Sequence, residues 1–131
     1  MLMTMRKAAI FISALAFSAF GLFAQDELAT YQTWMKTAAG ANGALRAAVT
    51  AKDTAAITEN STKMAEAFDS MAKFWATKHK DDAVKFAETA RDAAKSVPTA
   101  SPEEQTAALA KIGGTCRGCH TPYRDGSKFK E

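Results

Sequence analysis

The sequence predicts an all-α chain, an antiparallel up-down-up-down four-helix bundle. Apolar residues recur at helical spacing in four separate stretches, no stretch alternates apolar and polar residues as a strand would, and the links between stretches are short. The first 24 residues stand outside that pattern. Arg6 and Lys7 precede an apolar run from Ala8 to Phe23 that ends on Ala24, the arrangement of a secretory signal cleaved before Gln25. The run is shorter than the ~20 residues of a spanning helix, which sets a retained anchor as the alternative. Residues 1–24 are therefore expected to be a signal peptide, residues 25–131 one folded domain, and the periplasm its location.

Each helix has its own justification. In the first, Leu28, Tyr31, Met35, Ala38, Leu45 and Val49 form one apolar stripe. The second begins behind Asp53 as N-cap and carries Ile57, Met64, Phe68, Met71 and Trp75. In the third, Ala83, Phe86, Ala87, Ala90, Ala94 and Val97 share a face that Pro98 closes. The fourth opens on Ser101-Pro102-Glu103-Glu104, an N-cap serine, a first-turn proline and the glutamate of a capping box, and runs through Leu109, Ile112, Cys116 and Cys119. The tail from Asp125 to Glu131 reads as a frayed end, with Lys128 and Lys130 as docking charges for an acidic redox partner.

Charge excludes one class of partner. The chain carries 17 basic and 14 acidic residues, and two of the basic ones fall in the first 24, so the remainder is close to neutral. Nucleic-acid binding normally demands a concentrated basic face, which this balance does not offer. A domain of this size has a marginal core unless something fills it.

The chemistry is concentrated in Cys116-Arg117-Gly118-Cys119-His120. C-x-x-C-H is the spacing of covalent haem attachment: on a helix the two sulfurs share a face and form thioethers with the vinyl groups, and His120 follows as an axial ligand of the iron. A structural zinc site would want four ligands, and these three residues leave only His79 to complete them. A thioredoxin-like C-x-x-C would follow a strand, whereas the residues before Cys116 read as helix. Both cysteines of the chain lie in the motif, so no disulfide framework is expected.

Taken together, these residues make the chain resemble the cytochrome c-prime and cytochrome c-556 family. The resemblance rests on four helices, C-x-x-C-H near the C-terminus, the following His120-Thr121-Pro122-Tyr123-Arg124, and Gln32-Thr33-Trp34-Met35-Lys36 in the first helix before Gly40 and Gly43. It covers essentially residues 26 to 125. It departs at Tyr31, where many relatives have an arginine beside a propionate. The resemblance implies covalent haem c and iron, His120 as proximal ligand, and either electron transfer or the binding of small gases.

Geometry places Met35 opposite His120. Met35 lies ~12 Å inside the start of its helix and His120 ~8 Å before the end of the antiparallel fourth, so the two reach a similar level. Met35 is the expected sixth ligand, with packing against the ring as its alternative. Met71, on the diagonal second helix, is expected at the haem edge or in the core. Tyr31, Met71 and Arg124 are the expected haem-lining residues, Arg124 one turn beyond His120, where it tunes the imidazole or caps the helix. Trp34 and Trp75 read as core or lining aromatics, and His79 as a surface residue.

The expected function is a periplasmic electron carrier with redox proteins as partners and no enzymatic activity, since outer-sphere transfer needs no acid, base or nucleophile. A five-coordinate binder of nitric oxide or carbon monoxide is the alternative. A weak peroxidase lacks an evident distal proton donor. A homodimer stays open.

Overall fold

The computed structural model describes residues 12–126 and 128–130, and for residues 12–25 the backbone only. Helix α1 spans Ile12–Ala51, α2 Thr54–Thr77, α3 Asp81–Ser96 and α4 Pro102–Tyr123, with a 3-10 turn over Val97–Thr99 between the last two. The expected signal over residues 1–24 falls on residues that are outside the description or described as helical backbone alone. Among the described residues no helix is long and apolar enough to cross a membrane.

Local chemistry sets the boundaries. The side chain of Asp53 accepts from the Ala56 amide at 3.1 Å and caps α2. At α4 the capping box closes in both directions: the Glu104 amide donates to Ser101 Oγ at 3.3 Å and the Ser101 amide donates to Glu104 Oε2 at 2.9 Å. Helices α1 and α2 both end on paired backbone bonds around a left-handed residue. Lys52 has φ 57° and His79 φ 55°. In each case the next amide reaches back to the end of the helix, Asp53 to Ala48 and Lys80 to Trp75.

Side-chain links show that successive helices run in opposite directions. Lys78 at the end of α2 pairs with Glu27 on α1 at 2.9 Å, and Tyr123 at the end of α4 donates to Asp82 at the start of α3. At the opposite end Arg46 Nη2 of α1 donates to the Leu109 carbonyl of α4 at 3.1 Å. The result is an antiparallel four-helix bundle in which α2 lies between α1 and α3, and α3 between α2 and α4.

The core explains why one seam differs from the other three. The residues α3 buries within its span are all alanine, Ala83, Ala87, Ala90, Ala93 and Ala94, so α2 and α4 both approach it closely. Leu45, Met64, Val97 and Ile112 are fully buried at the middle and closed end. Burying each such side chain contributes about 1.5–3 kcal/mol against leaving it in water. Along the α1–α4 seam contact is sparse and larger side chains face each other, which leaves space there.

The tail departs from the frayed end that its composition suggests. Strand β1, Arg124–Asp125, pairs antiparallel with β2, Lys128–Phe129, with Arg124 opposite Phe129. Gly126 supplies the left-handed turn at φ 59°. The Lys130 amide donates to the Tyr123 carbonyl at 3.1 Å and its ammonium to the Thr121 carbonyl at 2.8 Å, which ties the hairpin back to α4.

Candidate cofactor site

The last turns of α4 are held in rotation by a close contact with α3. A Cβ built on Gly118 would lie 2.7 Å from Cε1 and 2.9 Å from Cζ of Phe86, so the ring occupies the space a larger residue at 118 would need. Buried Ile112 and Thr115 anchor the preceding turns. With that side of α4 against α3, Cys119 and His120 face α1.

Between them lies a cavity of about 510 Å³. Its size is that of a pocket for a cofactor or drug-sized ligand. Leu28, Tyr31, Gln32, Met35, Lys36 and Ala39 form the α1 wall, and Trp75 of α2 contributes from behind. The α4 wall is Cys119, His120 and Tyr123, and Arg124, Lys128 and Phe129 of the hairpin close the mouth. The wall holds three cationic side chains and no carboxylate.

Aromatic rings frame the same end. Phe129 stacks on Phe74 at 5.3 Å between centroids and meets Tyr31 edge-on at 5.1 Å. Trp75 Nε1 donates to the Tyr31 hydroxyl at 2.8 Å. Burial of that hydroxyl pushes the Tyr31 pKa up to about 12, so the phenol stays neutral.

Electrostatics favour the neutral forms of the motif. Burial raises the Cys119 thiol to about 11, with Asp82 and Cys116 adding to the shift, and burial likewise raises Cys116. His120 moves the other way: desolvation first, then the Arg124 charge, lower its pKa and keep the imidazole neutral at pH 7. Arg124 Nη1 stands 3.5 Å from His120 Nδ1, which leaves Nε2 as the nitrogen outside that contact.

The structure brings together Met35, Tyr31, Cys119, His120 and Arg124 on one cavity. Cys116 lies one turn earlier on α4, half-buried against the hydrophobic core. Met71 is in that core at 2% exposure and does not form part of the cavity wall. Trp75 lines the cavity, Trp34 packs edge-on to Tyr31 at 6.0 Å, and His79 is exposed at the end of α2. Sequence reasoning missed Phe129 and Lys128 as wall residues. The signal was present in Asp125-Gly126, a dipeptide that favours tight hairpin turns. Phe74 was missed because it sits off the apolar stripe of α2.

These residues fit a covalently held haem. Two unpaired thiols lie three residues apart, an imidazole follows, the walls are apolar, and cations stand at the mouth to meet carboxylates. Among the described residues no three His, Cys, Asp or Glu side chains gather to hold a metal ion by themselves.

Comparison with known proteins gives one partial relationship. The chain is 40% identical over 50 residues to a cytochrome c' of Pararhodospirillum photometricum. The match takes in 38% of this chain and 40% of that protein, so it spans well under half the length of either. No family model matches the chain. No solved structure matches it. The match and the four-helix architecture together support a cytochrome c' relationship.

Proposed function

We propose that this chain is an exported monohaem c-type cytochrome that carries single electrons between redox proteins in the periplasm. The observation that carries the reading is the pairing across the open seam: Met35 of α1 and His120 of α4 line one cavity, with Cys119 beside the histidine. When bound, haem supplies an iron that gains and loses one electron. Cys116 and Cys119 hold it to α4 by thioethers. His120 would ligate the iron, and its neutral imidazole is the form that can do so. Met35 would offer a thioether from the facing wall of the cavity, a soft donor that would raise the reduction potential and suit electron transfer. Lys36, Arg124 and Lys128 would pair with the group's carboxylates, and the aromatic cluster would exclude water from it. Export, inferred from residues 1–24, delivers the chain to the compartment where such haem is attached.

Absorption spectra of the ferric and ferrous protein, produced with a haem-attachment system, test this. Low-spin spectra in both states are expected. High-spin spectra in both would remove Met35 from the iron and turn the reading to a five-coordinate binder of nitric oxide or carbon monoxide.

A further inference from the structure

The chain has two tyrosines, and they sit in opposite chemical surroundings. Tyr31 is partly buried, and its hydroxyl accepts the Trp75 N–H, a group that takes up no proton. Tyr123 donates to Oδ1 of Asp82, an exposed carboxylate at the start of α3. The same Oδ1 accepts the Ala83 amide at 3.0 Å. The two tyrosines are joined through Trp75, whose ring centroid is 5.7 Å from that of Tyr31 and 5.0 Å from that of Tyr123. All three rings line the cavity, and only Tyr123 reaches a base at the surface.

We propose that Tyr123 and Asp82 form a redox-active pair that drains oxidising equivalents from the cofactor cavity to the protein surface. A phenol loses an electron readily only when its proton has somewhere to go, because the oxidised phenol is a very strong acid. At Tyr123 the acceptor is already in hydrogen-bond contact. Hydrogen peroxide is the oxidant by class: whenever the Met35 thioether is displaced from the iron, its reduction to two waters would consume two protons and leave the cofactor two electrons short. Tyr123 would return one of these through the contact with Trp75, while its phenolic proton passes to the Asp82 carboxylate, and a one-electron reductant in solution would return the other. A neutral tyrosyl radical and a neutral carboxyl result. A second electron from such a reductant, ascorbate for example, then restores the Tyr123 phenol as the proton moves back from Asp82. The protective role rests on the haem reading above, whereas the redox pair does not.

Two oxidants separate these layers. Photo-oxidation of the full chain with a ruthenium tris-bipyridine sensitiser and persulfate, followed by freezing and electron paramagnetic resonance, reads the pair without reference to haem. A tyrosyl signal is expected in the wild type and in Tyr31→Phe, absent in Tyr123→Phe, and reduced in Asp82→Asn. Both exchanges at the pair are near-isosteric, and circular dichroism confirms that the helices persist. A wild-type signal in Tyr123→Phe, or an undiminished one in Asp82→Asn, overturns the proposal. Hydrogen peroxide added to folded, haem-loaded protein is the second arm. Faster haem bleaching is expected in Tyr123→Phe than in wild type, and equal bleaching overturns the protective role. A chain that takes no haem stain fails the cytochrome reading alone, and the first arm still decides the pair.

Discussion

The two ends of this bundle are made from the same four helices and solve opposite problems. At the closed end the buried residues are Leu45, Ala48, Ile57, Val97 and Leu109, and Arg46 reaches from α1 to the Leu109 carbonyl. There the helices meet through buried side chains. At the other end four aromatic rings, Tyr31, Trp75, Tyr123 and Phe129, line a cavity of about 510 Å³, with two thiols and an imidazole on or beside its wall. Packing alone accounts for the first end, since small side chains let helices approach and larger ones fill the remainder. It does not account for the second, where large side chains are arranged around space. The difference is between a core that completes itself and one shaped for something else.

Removing what fills the open end breaks the comparison most severely. Cys116→Ser with Cys119→Ser is expected to abolish haem stain on a denaturing gel and to lower the thermal midpoint sharply. Loss of a ligand present at a thousandfold its Kd withdraws ~4 kcal/mol, a large part of the stability of a domain of this size. Haem stain retained in the double variant would sink the attachment claim.

Paired alanine substitutions sharpen the same contrast. Leu45→Ala at the fully buried closed end is expected to cost roughly 2–5 kcal/mol and to leave the haem spectrum unchanged. Met35→Ala at the half-buried cavity wall is expected to cost less, yet to give a high-spin spectrum, faster carbon monoxide binding and a lower reduction potential. Urea titration and spectroscopy on both variants decide it. If Met35→Ala behaves like Leu45→Ala, Met35 is packing and nothing more.

The closed end was legible in the sequence and the open end only in part, for a physical reason. Stripes such as Ala83, Ala87, Ala90 and Ala94 report which face is buried, because burial recurs with the helix period. The caps at Asp53 and Ser101 were equally readable, since capping is local chemistry. C-x-x-C-H pointed to Cys119 and His120, and helix rise placed Met35 level with them. Met71 shows where this stops: being on an apolar stripe does not say whether a side chain meets the core or a cavity, and it meets the core. Phe129 was hidden because its placement depends on a hairpin of two-residue strands, too short to show alternation. Phe86 beside Gly118 involves two helices at once, which no single-helix pattern encodes.

A smaller effect separates the two tyrosines of the open end by pH. Both have pKa values near 12, Tyr31 through burial and Tyr123 first through its bond to Asp82. The same bond holds Asp82 below the ordinary carboxylate range. A raised phenol contributes stability below its unfolded pKa of about 10 that is lost as pH climbs through its folded value. A lowered carboxylate contributes above about 4, and that is lost as pH falls through its folded value. The link is therefore at full strength between about pH 4 and 10. Ultraviolet titration of Asp82→Asn is expected to return Tyr123 toward 10 while Tyr31 stays high. Two tyrosines still titrating together near 12 would show that the carboxylate is not the cause.

The smallest effect uses a device common to both ends. Just past the ends of α1 and α2 stand Lys52 and His79, each a non-glycine residue in the left-handed region at φ 57° and 55°. Glycine is the usual occupant of that position, since it has no Cβ to crowd the following carbonyl. His79→Gly and Lys52→Gly each remove a strain of about 1 kcal/mol and add unfolded-state entropy of somewhat lesser size. Each is therefore expected to stabilise by a few tenths of a kcal/mol up to ~1, read as a higher urea midpoint at unchanged slope. The motifs are alike, so the gains should match. The ends differ in what surrounds them, which makes the spectrum the informative second measurement. Lys52 lies at the end away from the cavity and His79 near it, yet His79 is exposed and outside the wall. Both variants should keep the wild-type haem spectrum. A spectral change confined to His79→Gly would place that imidazole in contact with the iron, and the division of labour between His79 and His120 would have to be redrawn.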